Sequence, residues 1–217
     1  MGRLAVMKLI VFGATGLLGS RLVDEALTRG HEVTAAARDP SPVSGRDGDV
    51  SAVSTDVTRA DTVARVAPGH DVALSAVTQH ERPEVLVEAA HGLLDGLARA
   101  GVRRLVVAGG AGSLKVPSGQ RLMDTPDFHE QWKPEAHAQA RALAAYERAE
   151  SDVDWVYVSP AALLEPGERT GKYRVGTDEL LTDDRGRSRI TMEDFAIAML
   201  DEAEHQKHSR ERFTAGH

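Results

Sequence analysis

Gly13-Ala14-Thr15-Gly16-Leu17-Leu18-Gly19 is the stretch on which the fold turns. It follows Lys8-Leu9-Ile10-Val11-Phe12, a short apolar run that suits a strand buried on both faces. It opens residues 17–29, where Leu18, Leu22, Val23 and Leu27 recur near helical spacing before Gly30 stops the segment. Each glycine has a mechanical task. Gly13 makes the tight turn, Gly16 lets a diphosphate approach the main chain, and Gly19 lets helix pack on strand. The helix start offers unpaired N–H groups and partial positive charge, so Thr15, Leu17 and Leu18 are expected against the phosphates through their backbone. A glycine-rich turn that merely caps a helix would look similar. The strand before, the helix after and a second strand at the right distance favour dinucleotide binding instead.

Outward from this unit the alternation continues. Residues 31–37, 50–55, 71–76, 104–108 and 154–158 read as further strands, and 61–67, 83–100 and 135–150 as helices. Residues 40–49 are a loop by composition, and 114–134 look irregular. Strand–helix alternation repeated about six times predicts an α/β, Rossmann-type doubly wound parallel sheet. Ser159-Pro160 should stop the sixth strand, after which the alternation lapses. Residues 183–187 read as a hairpin turn, and Thr191 as the N-cap of a last helix with Glu193 and Asp194 in its first turn. The expectation is one NAD(P)-binding domain over residues 1–217, with a small C-terminal substrate-side lobe mainly at 160–190.

Bulk properties narrow the function classes. The chain has 217 residues, 41% hydrophobic and 27% charged, enough for one sizeable core and unlike a disordered chain. A formal net charge of -7 argues against a nucleic-acid partner held by phosphate neutralisation. With no cysteine, disulfides and thiolate chemistry are excluded. The opening residues lack the long apolar segment of a secretory signal, and no stretch approaches membrane-spanning length. A cytoplasmic, membrane-free protein is expected, with a homodimer left open.

Arg38 follows the second strand, where the adenosine ribose of a dinucleotide would lie. An arginine there accommodates a 2′-phosphate through its planar, charge-assisted fork and favours NADP, whereas an acidic residue favours NAD. Asp39 beside it keeps NAD open.

The glycine pattern, the Ala36-Ala37-Arg38-Asp39-Pro40 tip, Thr55-Asp56-Val57 and Ser75-Ala76-Val77 together resemble the atypical short-chain dehydrogenase/reductases. Within these the chain resembles the NAD(P)H-binding, flavin reductase-like group, similar to biliverdin reductase B and to NmrA-like proteins. Asp124-Thr125-Pro126-Asp127-Phe128, Trp132-Lys133-Pro134-Glu135, and Ser159-Pro160-Ala161 through Gly171-Lys172-Tyr173 extend the likeness over nearly the whole chain. The resemblance implies that Asp56 and Val57 border adenine. It also implies Ser75, Ala76 and Val77 beside the ribose and diphosphate, and Ser159, Pro160 and Ala161 beside nicotinamide.

The wider superfamily reduces carbonyls with a Tyr and a Lys four residues on, helped by a Ser after the fifth strand. Here Tyr146, Tyr157 and Tyr173 are followed at that spacing by Glu150, Ala161 and Thr177, and Ala111 stands at the serine position. Alcohol–ketone chemistry is therefore not expected. A flavin or quinone needs chiefly that hydride donor and acceptor be held face to face. The leading reading is an NAD(P)H-dependent reductase of a small-molecule conjugated acceptor. A non-catalytic NmrA-like redox sensor is the alternative, and a sugar epimerase or dehydratase ranks third. Ser113, after the Gly109-Gly110-Ala111-Gly112 run, is the candidate polar contact near nicotinamide; it could equally just turn the loop. His129 and His137 are candidate proton donors, and Lys133 a candidate anchor for an anionic acceptor. His205 and His208 lack a third ligand at metal spacing, so no metal is expected and residues 205–212 read as a solvated basic run.

Overall fold

The computed structural model describes residues 5–43, 50–78 and 82–217. The readings of residues 1–4 and of the loop at 44–49 lie outside the described residues. The chain alternates from the start: β1 (Lys8–Phe12), α1 (Leu17–Thr28), β2 (Glu32–Ala37), β3 (Val50–Ser54), α2 (Ala60–Val66), β4 (Val72–Ser75), α3 (Val85–Ala100) and β5 (Arg104–Ala108). Then come α4 (Lys133–Arg148), β6 (Asp154–Pro160), β7 (Leu163–Glu165), β8 (Arg174–Gly176), β9 (Arg189–Thr191), α5 (Met192–His205) and β10 (Glu211–Gly216).

Eight strands form one sheet in the order β3-β2-β1-β4-β5-β6-β10-β8. All its pairs are parallel except β10 with β8, and β7 and β9 make a separate parallel pair. From β1 the chain winds one way to β2 and β3, then returns to the other side for β4. The sheet therefore splits its connections between β1 and β4, which opens a crevice at the strands' C-terminal ends.

The pleat of β1 explains the two layers. Leu9 and Val11 face a core shared with Leu22 and Val23 of α1 and Phe195 and Met199 of α5. Ile10 and Phe12 face the opposite core, with Val63 of α2, Leu93 and Leu97 of α3 and Tyr146 of α4. Alternate residues of a strand point to opposite faces, so a strand covered on both sides must be apolar throughout. On the second face α3 lies very close to α2. A Cβ at Gly96 would stand 2.5 Å from the Val63 Cβ, and one at Gly92 2.2 Å from the Val57 carbonyl oxygen.

The C-terminal region departs from expectation. Residues 205–212 are largely exposed, as expected, but they are also the way into an interior strand, second from the edge of the sheet. Gln206 and Arg210 take left-handed φ values of 47° and 50°, and β10 enters the sheet beside β6 with Phe213 and Ala215 buried. His208 stacks on Phe213 at 4.3 Å, and the Arg210 amide donates to the Trp155 carbonyl at 2.8 Å. Pairing with β10 also carries β6 through Ser159 and Pro160, which were expected to end it. The turn at 183–187 closes on itself, with the Arg185 and Arg187 amides both donating to the Asp183 carboxylate. It joins no hairpin, because β8 pairs with β10 and β9 with β7.

Buried Arg104 of β5 ties these late elements together. Its guanidinium donates to Glu202 of α5, to Asp154 of β6 at 2.5 Å and to the His208 carbonyl at 2.9 Å. The second Glu202 oxygen meets His208 Nδ1 at 2.7 Å. Removing one member of such a cluster strands an uncompensated buried charge. Glu202→Ala is expected to cost about 3–5 kcal/mol in urea unfolding, more than an exposed-pair change such as Asp61→Ala.

Candidate functional site

Where β1 passes into α1, the backbone is crowded to its limit. Gly13 has φ 78°, and a Cβ there would lie 2.7 Å from the Ala76 carbonyl oxygen. A Cβ at Gly19 would fall 2.0 Å from the Gly13 oxygen, closer than any side chain can approach. Gly16 is different: its Cβ would meet the protein only at 3.3 Å, at the Gly13 oxygen. The other two glycines are demanded by the fold itself, whereas the space beside Gly16 opens outward.

Gly16 is also the N-cap of α1, with no side chain to bond the first-turn amides, and that turn contains no acidic residue. The amides after Gly16 and the positive end of the helix dipole are thus left for an external anion. A cavity of about 410 Å³ lies against this turn, at the C-terminal ends of β1 to β4. Gly13, Thr15 and Gly16 form its floor, Ala37 and Arg38 one wall, Thr55 to Thr58 another, and Ala76 to Thr78 the side toward β4. Arg82, Val85 and Glu88 complete the rim.

Of the residues singled out from sequence, Gly13, Thr15, Gly16, Arg38, Asp56, Val57, Ala76 and Val77 line this one cavity. Arg38 is exposed on its wall, while the Asp39 carboxylate turns to its own neighbour, accepting from the Ser41 amide at 3.0 Å and hydroxyl at 2.6 Å. Asp56 accepts from the Thr58 amide and hydroxyl, which fixes the loop after β3. Leu18 and Gly19 are buried in the packing of α1 and Ser75 within β4, and Leu17 is exposed; none of these side chains lines the cavity. Ser159, Pro160 and Ala161 are buried beside β10, the Ser159 hydroxyl donating to the Gly110 carbonyl at 3.0 Å.

Thr55, Thr58, Thr78, Arg82, Val85 and Glu88 were not foreseen. Arg82 was legible as a cation just before the α3 start. Thr55 carries the sharper signal, and only the structure reveals it: its hydroxyl is buried on the cavity wall with no hydrogen-bond partner in the protein. Polar groups buried without partners are rare, so this oxygen awaits a ligand or water.

The proposed reaction-end residues lie apart from this cavity. The Ser113 hydroxyl accepts from Arg212 at 2.7 Å, and Arg212 is also paired with Asp178. Lys133 is paired with Glu130, and the His129 ring packs on Trp132 at 4.8 Å. The tyrosines are all committed elsewhere. Tyr146 and Tyr157 are buried, Tyr157 donates to Gln139 Oε1 at 2.6 Å, and Tyr173 donates to Asp201 at 2.5 Å. Burial pushes each of these phenols well above the ordinary tyrosine value. Among the described residues Asp201, Glu204 and His205 come within 4.8 Å of one another, but the two carboxylates already accept from Arg29, His31 and Tyr173.

A second, larger groove of about 770 Å³ lies between residues 163–174 and β9. Its base is held by Asp194, which is fully buried and accepts from the Thr170 hydroxyl and the Thr170 and Gly171 amides, and meets His217 Nε2 at 2.9 Å. Burial alone would raise this carboxyl, yet the bonds from Thr170, Gly171 and His217 hold it below the usual carboxylate range.

Comparison with known proteins follows the same outline. Residues 13–203 match the NAD(P)H-binding family. The chain is 39% identical over 211 residues to the uncharacterized protein YwnB of Bacillus subtilis, covering 96% of this chain and 97% of that one. It is 32% identical over 185 residues to a 3-diazoavenalumate denitrifying reductase of Streptomyces, covering 78% of this chain and 60% of that protein. Among solved structures, a Bacteroides thetaiotaomicron protein provisionally described as an epimerase shares 40% identity and a TM-score of 0.90, with 98% of each chain covered. A Streptococcus pneumoniae protein provisionally described as an NADH-flavin reductase shares 33% identity and a TM-score of 0.83, covering 97% of this chain and 99% of that one. Among the described residues no helix is long and apolar enough to cross a membrane.

Two stability experiments follow from this geometry. Gly19→Ala is expected to lower stability by about 3 kcal/mol, as overpacking against main chain does; Gly16→Ala should unfold within about 1 kcal/mol of the parent. Equal losses in urea titrations would contradict the distinction between the two glycines. Because the folded-state value of Asp194 is lowered, its contribution is complete above the unfolded aspartate value of about 3.9 and disappears as pH falls through the folded one. Asp194→Asn should therefore cost roughly 2 kcal/mol at neutral pH, and the gap from the parent should narrow progressively in unfolding curves taken at successively lower pH below about 3.9.

Proposed function

The chain belongs to the NAD(P)H-binding family, and from that premise we propose that it is an NADPH-dependent reductase that passes hydride to a conjugated acceptor such as a flavin or quinone. The observation that carries this reading is the cavity in which an uncapped helix start, an unpartnered Thr55 hydroxyl and two arginines converge. The residues present fit a dinucleotide. The space beside Gly16, which a Cβ would partly fill, suits a diphosphate seated on the amides that follow. Ala76, Val77 and Val57 give the apolar flanks a base requires.

Arg38 gives the preference for the 2′-phosphorylated cofactor. Its guanidinium stands on the cavity wall with Arg82 on the same rim, and Asp39, the acidic rival for the ribose, is turned toward Ser41. Two guanidinium groups suit the doubly charged phosphate far better than ribose hydroxyls.

Reduced nicotinamide, when bound, supplies the hydride. The chain's own task is to hold the donor and acceptor together, since a conjugated acceptor takes its compensating proton from water. The three tyrosines support this, because none is free to serve as the acid that carbonyl reduction or epimerisation would use. The relationship to a denitrifying reductase and to an NADH-flavin reductase-like structure agrees with acceptors of this conjugated type. Ser113, His129 and Lys133 are proposed as groups around the acceptor end. With Arg212 donating to its oxygen, Ser113 keeps its own proton to donate toward a carboxamide.

NADPH should raise the thermal midpoint more than NADH at equal concentration, and Arg38→Ala should weaken NADPH binding about tenfold or more, as loss of a charge-assisted bond implies, with little change for NADH. Equal stabilisation by the two cofactors in the parent would remove the role given to Arg38. NADPH oxidation should accelerate with riboflavin, FMN or menadione; tight binding with none of these consumed would favour the sensor reading.

A further inference from the structure

We infer that Trp132 is the platform on which a fused-ring planar acceptor stacks, an assignment that rests on the reductase reading above. The chain has two tryptophans. Trp155 is 3% exposed in the core, whereas Trp132 is 52% exposed. Exposing an indole forfeits the burial that ordinarily makes tryptophan worth having in a fold.

The position of Trp132 is set by the packing of α4. It is the N-cap of α4, which returns from the open end of the sheet after β5. Ala138 and Ala142 of α4 pack with Leu86, and Val77 packs against this cluster while also lining the dinucleotide cavity. Gln139 and Ala136 lie against Gly110 and Gly112, whose missing Cβ atoms would stand 3.1 Å and 2.6 Å from those side chains. The front of α4 thus borders both the cavity and the glycine run after β5. Trp132 precedes Ala138 by six residues, so at about 1.5 Å per residue it stands roughly 9 Å further toward the open end. In a doubly wound sheet that edge is where the second substrate meets the cofactor.

The local packing holds the ring without covering it. Phe128 and His129 meet Trp132 in tilted, edge-type contacts with centroids at 6.1 Å and 4.8 Å. Their mutual support restrains the indole, and half of its surface stays open to a partner. A restrained aromatic ring pays little entropy on binding, and ring–ring stacking adds to the gain from burial alone. Lys133 beside the ring is paired with Glu130, so its charge is already met within the protein. That suits an uncharged isoalloxazine better than an anionic acceptor.

The test uses riboflavin as probe, with the full chain saturated with oxidised NADP so that no turnover intervenes. Riboflavin emission, which a stacked indole quenches, should fall on binding to the parent protein. In Trp132→Ala the dissociation constant for riboflavin should rise about five- to tenfold, the range expected for loss of an aromatic pair, and the quenching should vanish. Trp132→Phe should recover much of the affinity but little of the quenching. The dissociation constant for NADP should stay within twofold in both variants, which also reports that they are folded. Unchanged riboflavin affinity in Trp132→Ala, no riboflavin binding by the parent, or a shift in oligomeric mass in place of the affinity change would each overturn the assignment. The reductase reading fails separately, when no conjugated acceptor accelerates NADPH oxidation by the parent.

Discussion

Everything in this protein is built around one point of main-chain contact. The Gly13 carbonyl lies where a Cβ on Gly19 would stand 2.0 Å away, and Gly13 itself is pressed against the Ala76 carbonyl. Three elements (the end of β1, the first turn of α1 and the exit from β4) therefore meet where there is room for backbone only. That meeting fixes the angle of α1 to the sheet and the level at which β4 ends. It also aims the uncapped start of α1 into the gap left where the connections of β1 and β4 diverge. The cleft beside Gly16 and the fold share a single geometric cause.

The other face of α1 is held by charge. Arg29 bridges Glu25 on its own helix to Asp201 and Glu204 on α5, and Arg21 reaches Glu193 at the α5 start. Arg169 returns to Glu25, which fastens the segment after β7 onto α1. His31 accepts from the Met7 amide at Nδ1, so its Nε2 proton points to Glu204. Buried ion pairs repay little more than their desolvation cost. Their effect here is directional: Arg29 has acidic partners on both helices, Arg21 reaches across to Glu193 and His31 to Glu204, and only one placement of α5 against α1 serves them all. The segment after β7 inherits that placement through Arg169, Glu193 and Asp194.

How far the sequence disclosed this architecture depended on whether each element carries its own signal. β1, α1, β2 and β5 do, because their apolar periods are clean and glycines punctuate them, and β5 was expected over the residues it occupies. β10 does not. Its burial depends on partners more than fifty residues away, Val156 to Pro160, and its entry uses left-handed Gln206 and Arg210 where a reader looks for glycine. Read alone, His205 to Arg212 is polar; read beside Trp155, Glu202 and Phe213, His208 and the Arg210 amide have partners that the local sequence does not reveal. The same division holds in the site. Glycines and Arg38 announce themselves by position after a strand. Thr55 became informative only when its hydroxyl proved buried without a partner. Trp132 became so only when its ring proved exposed.

The chain's charge sharpens the case for a built anion site. With a formal net charge of -7, the molecule as a whole repels a phosphorylated cofactor, so affinity cannot come from a diffuse field. It must come from groups within a few ångströms, where screening is weak and geometry decides. The uncapped amides after Gly16, Arg38 and Arg82 are the groups so placed; of the acidic residues nearby, Asp39 and Asp56 are each bonded within their own turn, while Glu88 stands on the rim and Glu84 pairs with Arg82. Local arrangement outweighs net charge because the repulsion is spread over the surface while the attraction is gathered in one cleft. A protein that needed only a stable fold would have no cause to gather it there.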